Sequence, residues 1–150
     1  MTRKKKLKIV ALAAAAILLL GAAAFTVVRV FEYQQTSYQR AFPENQGVIS
    51  NIPIPKGSRP AGPYAVNGEK MKTFCTEDEI NAFYQDYFSS LPKVSTHNST
   101  KGLQAYYDEE QQLIIYDKIY FQKQWDGLYF SILYDPYGDG AGIHLEEEES

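Results

Sequence analysis

Three kinds of hydrophobic pattern succeed one another along this chain. Residues 9–28 read IVALAAAAILLLGAAAFTVV, an apolar run without a single charge. At about 1.5 Å per residue, a helix of about 20 residues spans roughly 30 Å, the thickness of a hydrocarbon core. Residues 77–91 change to a helical stripe, with Ile80, Phe83, Tyr84, Tyr87, Phe88 and Leu91 recurring on one face. From about residue 103 the period becomes two, the signature of strands with one buried face.

The first pattern predicts a transmembrane anchor over 9–31. A buried helix of a soluble protein rarely runs this far without a polar residue. Arg3, Lys4, Lys5, Lys6 and Lys8 crowd the start, and no acid precedes Glu32. A basic flank on one side keeps that side in the cytoplasm. The expectation is a cytoplasmic basic N-terminus over 1–8 and an extracytoplasmic remainder, with the lipid bilayer as partner of 9–31. The competing reading is a signal peptide cleaved near Ala24, after the small residues GAAA, which would release a secreted domain. The apolar character continues past that point through Phe25, Val27, Val28, Val30 and Phe31, and favours the uncleaved anchor.

Residues 32–63 are expected to hold a short helix extension and then a Pro/Gly-rich linker. Five prolines and three glycines fall between 43 and 63, and proline denies helices and central strands a backbone donor. The extracytoplasmic domain is placed at 64–145. Asn67-Gly68 is a hairpin signal between β-compatible flanks. Thr76 and Glu79 have the spacing of a capping box ahead of the helical stripe, and Pro92 stops it. Asp126-Gly127 reads as a two-residue type I′ turn. That turn would pair Trp125 with Leu128, Phe121 with Ile132 and Ile119 with Tyr134. One face of the hairpin would then carry Ile119, Phe121, Trp125, Leu128, Phe130 and Ile132. The other would carry Lys118, Tyr120, Gln122, Gln124, Tyr129 and Ser131. The earlier turn, around Glu109 and Glu110, leaves its register open. The predicted fold class is α+β: an N-terminal transmembrane helix, then one amphipathic helix packed on a small antiparallel sheet of 3–4 strands. Residues 146–150 form an acidic tail.

The order IPIPKGS, TEDEINAFYQDYFSSLP and then a β-meander resembles uncharacterised families of small exported, membrane-anchored bacterial domains. Those carry a P-x-P-x-G element ahead of a helix with an Ile/Val-x-x-Phe-Tyr core. The likeness covers roughly residues 52–134. Its motifs are structural, so it implies a fold and a cell-envelope setting, and carries over no catalytic residue.

Charge narrows the function classes. Six of the 15 basic residues precede Glu32, leaving nine against all 18 acids, so the part from Glu32 onward carries −9. Nucleic acid is not an expected partner, because phosphate binding needs clustered Lys and Arg. Cys75 is the only cysteine, which excludes an internal disulfide and a cysteine zinc cluster. His97 and His144 lie in no catalytic pattern, and no Gly-x-Ser-x-Gly elbow exists. The chain is read as non-enzymatic and without a cofactor, an envelope hydrolase being the alternative. Asn98-Ser99-Thr100 matches a glycosylation sequon.

Two candidate sites remain. Asp135, Asp139, Gly140 and Glu146 match four positions of a calcium loop, but Tyr137 and Gly142 break the pattern and a strand precedes it. Asp135, Asp139 and Glu146 are therefore weak metal candidates, and no metal is expected. The chain also has 12 tyrosines. Tyr116, Tyr120 and Tyr129 fall on the more polar face of the expected sheet with Gln122. Such a face suits an envelope protein or glycan partner, since tyrosine offers wide contact at low entropy cost.

Overall fold

The structure is a computed structural model and describes residues 2–42, 47–63, 68–96, 102–136 and 144–145. It divides into two compact units, 1–34 and 35–150. The first is a single helix, α1 (Arg3–Gln34), long and apolar enough to cross a membrane. None of its residues is buried, so its apolar surface has no protein core to satisfy.

The second unit is α+β. Its elements are β1 (Ser37–Phe42), β2 (Val48–Pro53), β3 (Ser58–Pro63), β4 (Gly68–Thr73), α2 (Glu77–Ser89), β5 (Lys93–Ser95), β6 (Ala105–Asp108), β7 (Leu113–Tyr116), β8 (Tyr120–Gln124), β9 (Gly127–Pro136) and β10 (His144–Leu145). Among the described residues the strands form two sheets rather than one of 3–4 strands. β1 and β2 make an antiparallel pair, and a larger antiparallel sheet runs β10-β5-β6-β7-β9-β4-β3, with β8 also paired to β9. β7 and β8 lie end to end along one edge of β9, with β4 along the other.

The stretch expected as a linker is folded. α1 ends at Gln34 and β1 starts at Ser37, so the helix extension is short and no spacer follows it. Phe42, Ile52 and Ile54 are fully buried members of the main core. The prolines are compatible with this because of where they sit. β3, with Pro60 and Pro63, is the last strand of the sheet, and an edge strand can spare backbone donors. The β1–β2 pair is tied down by polar contacts. The Ser50 hydroxyl donates to the Gln111 carbonyl (2.7 Å), the Asn51 amide to Gln111 Oε1 (2.9 Å), and the Tyr84 hydroxyl to the Pro53 carbonyl (3.0 Å).

α2 begins as its sequence predicts. The Thr76 side chain accepts from the Glu79 amide (3.2 Å) and Glu79 accepts from the Thr76 amide (2.7 Å), satisfying two otherwise orphaned donors. Ile80, Tyr84 and Phe88 are buried against the inner sheet face with Met71, Phe130, Ile132 and Tyr134. Phe88 stacks on Tyr106 of β6 at 4.5 Å. A buried polar knot joins the two sheets: Arg40 of β1 contacts Glu69 (3.1 Å) and the Tyr134 hydroxyl (2.5 Å), and the Tyr38 and Tyr134 hydroxyls meet at 3.1 Å.

The hairpin register differs from expectation by two residues. Gln124 pairs with Gly127 and Phe121 with Phe130, placing Trp125 and Asp126 in the turn. A type I′ turn at Asp126-Gly127 would need positive φ at Asp126. Among the described non-glycine residues only Gln112 has positive φ, while Gly127 sits at φ +139°. A slide of two preserves the faces of the paired residues, since only an odd slip exchanges them, but it takes Trp125, expected on the apolar face, into the turn, where it is 98% exposed. Phe130 and Ile132 are accordingly buried in the core. The open register of the earlier turn resolves with Tyr107 opposite Ile114 and Asp108 opposite Leu113. Asn67 of the expected Asn67-Gly68 turn lies outside the described residues.

Candidate functional site

Three of the four sequence-selected surface residues come together on the outer face of the sheet. Directly paired residues point the same way, so the register defines two rows across four strands. One runs Arg59–Lys72–Tyr129–Gln122, from β3 through β4 and β9 to β8. The next runs Gly62–Lys70–Ser131–Tyr120. Gln122 is exposed, and Tyr120 and Tyr129 are half-buried.

Cations frame these rings. Lys70 Nζ lies 4.6 Å and Lys72 Nζ 5.6 Å from the Tyr129 ring centre, and Lys118 Nζ lies 5.2 Å from that of Tyr120. A ring face attracts a cation through its quadrupole, so each ring helps hold a lysine in place. Asp126, in the β8–β9 turn, accepts from Lys72 Nζ (2.8 Å) and from the Tyr129 hydroxyl (2.8 Å). These two bonds hold the Asp126 carboxyl below the usual carboxylate range, and the same contact pushes the Tyr129 hydroxyl up. The rows and their margins thus hold Arg59, Lys70, Lys72 and Lys118 against Asp126, a positive face on a unit of opposite net charge. The sequence already places Lys118 on this face; Arg59, Lys70 and Lys72 were missed because they come from two other strands, β3 and β4. Only the β3–β4–β9 pairing aligns them.

Tyr116 is a correction. It shares the face by alternation but is 3% exposed, packed with Val94, Ala105 and Ile114 in a second, smaller core. Its hydroxyl donates to Asp135 (2.5 Å) and lies 3.4 Å from Thr96 Oγ1. It is closed to a partner. The same contact places Asp135, a weak metal candidate, in a buried structural hydrogen bond. Asp139 and Glu146 lie outside the described residues, as does His97. Among the described residues no group of three or more His, Cys, Asp or Glu side chains is placed to hold a metal ion.

A concavity of about 830 Å³ runs along α2, between Asn81, Gln85 and Phe88 on the helix, Tyr106 on β6, and Asp117 and Ile119 in the β7–β8 connection. Its floor is aromatic and its rim polar. Asp117 is engaged with the Gln104 amide (3.1 Å). Elsewhere burial pushes the hydroxyls of Tyr38, Tyr84, Tyr87 and Tyr134 up, so none is a ready base at neutral pH. Cys75 is half-buried and its thiol donates to the Lys56 carbonyl (3.1 Å).

No family model matches the chain, and no curated protein or solved structure matches it either.

Proposed function

We propose that this protein is a single-pass, membrane-anchored extracytoplasmic domain with a non-enzymatic binding or assembly role at the bacterial cell envelope. α1 is the anchor, its basic start lies in the cytoplasm, and the second unit lies outside. The binding face is the outer surface of β3, β4, β9 and β8. The observation that carries this reading is the pair of rows Arg59–Lys72–Tyr129–Gln122 and Lys70–Ser131–Tyr120. Like charges placed opposite or diagonal to one another on a sheet reduce stability, so a folding role alone gives no reason to gather them. Rings flanked by Lys and Arg suit an acidic envelope protein or an anionic glycan, with tyrosine supplying contact area and the cations supplying orientation.

Photo-crosslinking in intact cells tests this. A crosslinking amino acid at Tyr120 or Gln122 of the full chain should trap one discrete partner, and the same group at Glu109, on the β6–β7 turn, should not. Equal or absent trapping at these positions would sink the proposal.

A further inference from the structure

The larger sheet is one strand short along part of its length. β7 is flanked by β6, and their bonding reaches the Asp117 amide, which donates to the Gln104 carbonyl (3.0 Å). β8 continues the line of β7 along β9, but among the described residues it pairs only with β9. A place for one strand is therefore open beside β8, in line with β6.

The register says which backbone groups face this place. Gln124 and Gly127 close a two-residue turn, and such a pair exchanges both backbone bonds. Bonded and non-bonded pairs alternate, so Gln122 also bonds to β9, while the N–H and C=O groups of Phe121 and Lys123 point away from it. The prolines agree with this phase. By the same alternation Pro60, opposite Met71, and Pro136, opposite Leu113, fall where the ladder needs no donor. Outward donors and acceptors two residues apart are what an extended main chain matches.

A strand laid there would meet a prepared surface. Opposed residues point the same way, so its side chains opposite Phe121 and Ile119 would turn to the inner face, as Phe121 does opposite the buried Phe130. The concavity of about 830 Å³ lies on that face, floored by Phe88 and Tyr106 and bordered by Ile119. α2 forms its far wall. Glu77 lies near Lys123 (3.5 Å) at one end of this wall, and Phe88 stacks on Tyr106 (4.5 Å) at the other. Among the described lining residues the charged ones are Lys93 and Asp117, one of each sign, and the amides Asn81 and Gln85 stand one helical turn apart. A lining that is aromatic below and neutral overall suits an uncharged segment with apolar side chains. A second copy fits poorly: a lysine on an edge strand discourages sheet-to-sheet pairing, and the copy would bring its own α2 against this one.

We infer that the open edge of β8 and the concavity under α2 form one peptide site. It takes an extended, uncharged segment of a partner polypeptide, added as a strand antiparallel to β8. The main chain of the segment bonds to Phe121 and Lys123, and alternate apolar side chains enter the concavity over Phe88 and Tyr106. The site lies on the opposite side of the sheet from the tyrosine face, and it stands or falls independently of that face.

A random heptapeptide library displayed on phage is panned against the full chain in lipid nanodiscs, with empty nanodiscs as counter-selection. Enriched peptides should lack charge, carry apolar residues at alternate positions and bind when synthesised with acetylated and amidated ends. N-methylation of alternate residues should weaken binding at least tenfold in one phase and leave it unchanged in the other, because only one set of N–H groups faces β8. Lys123→Pro removes an outward donor and no bond to β9, and should weaken binding at least tenfold, whereas Lys123→Ala should not. Gln85→Trp, at an exposed position of α2, fills the concavity and should also abolish binding. Failure to enrich any peptide overturns the inference. So does an equal effect of N-methylation in both phases, which is decided on the unaltered protein, and so does full binding to both Lys123→Pro and Gln85→Trp.

Discussion

Tyr116 and Tyr120 sit four residues apart, on the same face of collinear strands, and have opposite fates. Tyr116 is sealed in a small core and bonded to Asp135. Tyr120 is only half-buried, under Lys118 and beside Gln122. Alternation along a strand decides which side of a sheet a residue occupies. It does not decide whether anything covers that side. The cover at the Tyr116 end involves β5, from a different part of the chain, while the Tyr120 end is left as surface. One sheet face thus serves stability at one end and remains available for recognition at the other.

Substitution at the two positions is the most direct way to break this comparison. Tyr116→Ser removes a buried ring and its hydroxyl bond to Asp135, and should lower unfolding free energy by about 3–5 kcal/mol in denaturant titration. Tyr120→Ser, at a half-buried position, should change it by about 1 kcal/mol or less. Equal effects would erase the distinction between the sealed and open ends.

The knot at Arg40 sharpens the same contrast from the inner face. Arg40→Met removes the charged donor to Glu69 and Tyr134, both largely buried, and should cost about 1.5–3 kcal/mol by the same measurement. Lys72→Met also breaks an ion pair, with Asp126, whose side chains are 17% and 24% exposed. Its effect should be smaller, about 1 kcal/mol, because Asp126 keeps a second donor in the Tyr129 hydroxyl. The cap of α2 comes next. Thr76→Ala should cost about 1 kcal/mol, with Thr76→Ser nearly neutral in thermal melts, because the serine hydroxyl can still accept the Glu79 amide.

The smallest effect concerns pH. A carboxylate whose folded pKa is depressed contributes stability above its unfolded value, and that contribution is lost as pH falls through the folded value. Asp126 is such a group, held down by its bonds to Lys72 and Tyr129. Acidification should therefore release both partners only below the ordinary aspartate range. Because Asp126 is a single, partly exposed carboxylate, Tm should respond only slightly. The Lys72 Nζ and Tyr129 ring NMR signals should move together at that low pH, and in Asp126→Asn the transition should vanish. Independent titration of the two signals would show that Asp126 does not join them.

Much of the architecture was legible locally. The α1 run, the Thr76–Glu79 cap and the α2 stripe need only neighbours within a few residues, and each is found where its pattern predicts. The hairpin faces were legible too, even though the turn lies one residue earlier than expected, since a slide of two leaves the alternation intact. β1 to β3 were not. Their sequences, SYQRAF, VISNIP and SRPAGP, carry few apolar residues and several prolines, which argue against central strands. They fold because a lone pair and a sheet edge tolerate missing donors, and because Phe42, Ile52 and Ile54 find a core elsewhere. In the candidate site, Tyr120, Gln122 and Tyr129 could be selected from one hairpin. Arg59, Lys70 and Lys72 could not, because their relation to the tyrosines is a matter of strand order.

By itself the sequence determined an apolar helix of membrane-spanning length, a capped amphipathic helix and a two-faced hairpin. Each rests on periodicity and short-range hydrogen bonding, which neighbouring residues dictate. Only the tertiary structure decided that a proline-rich stretch is part of the domain, that Tyr116 is covered, and that scattered lysines frame Tyr129. Those outcomes depend on which distant segments lie side by side, and pairing between segments far apart in the chain is chosen by the burial of the whole core.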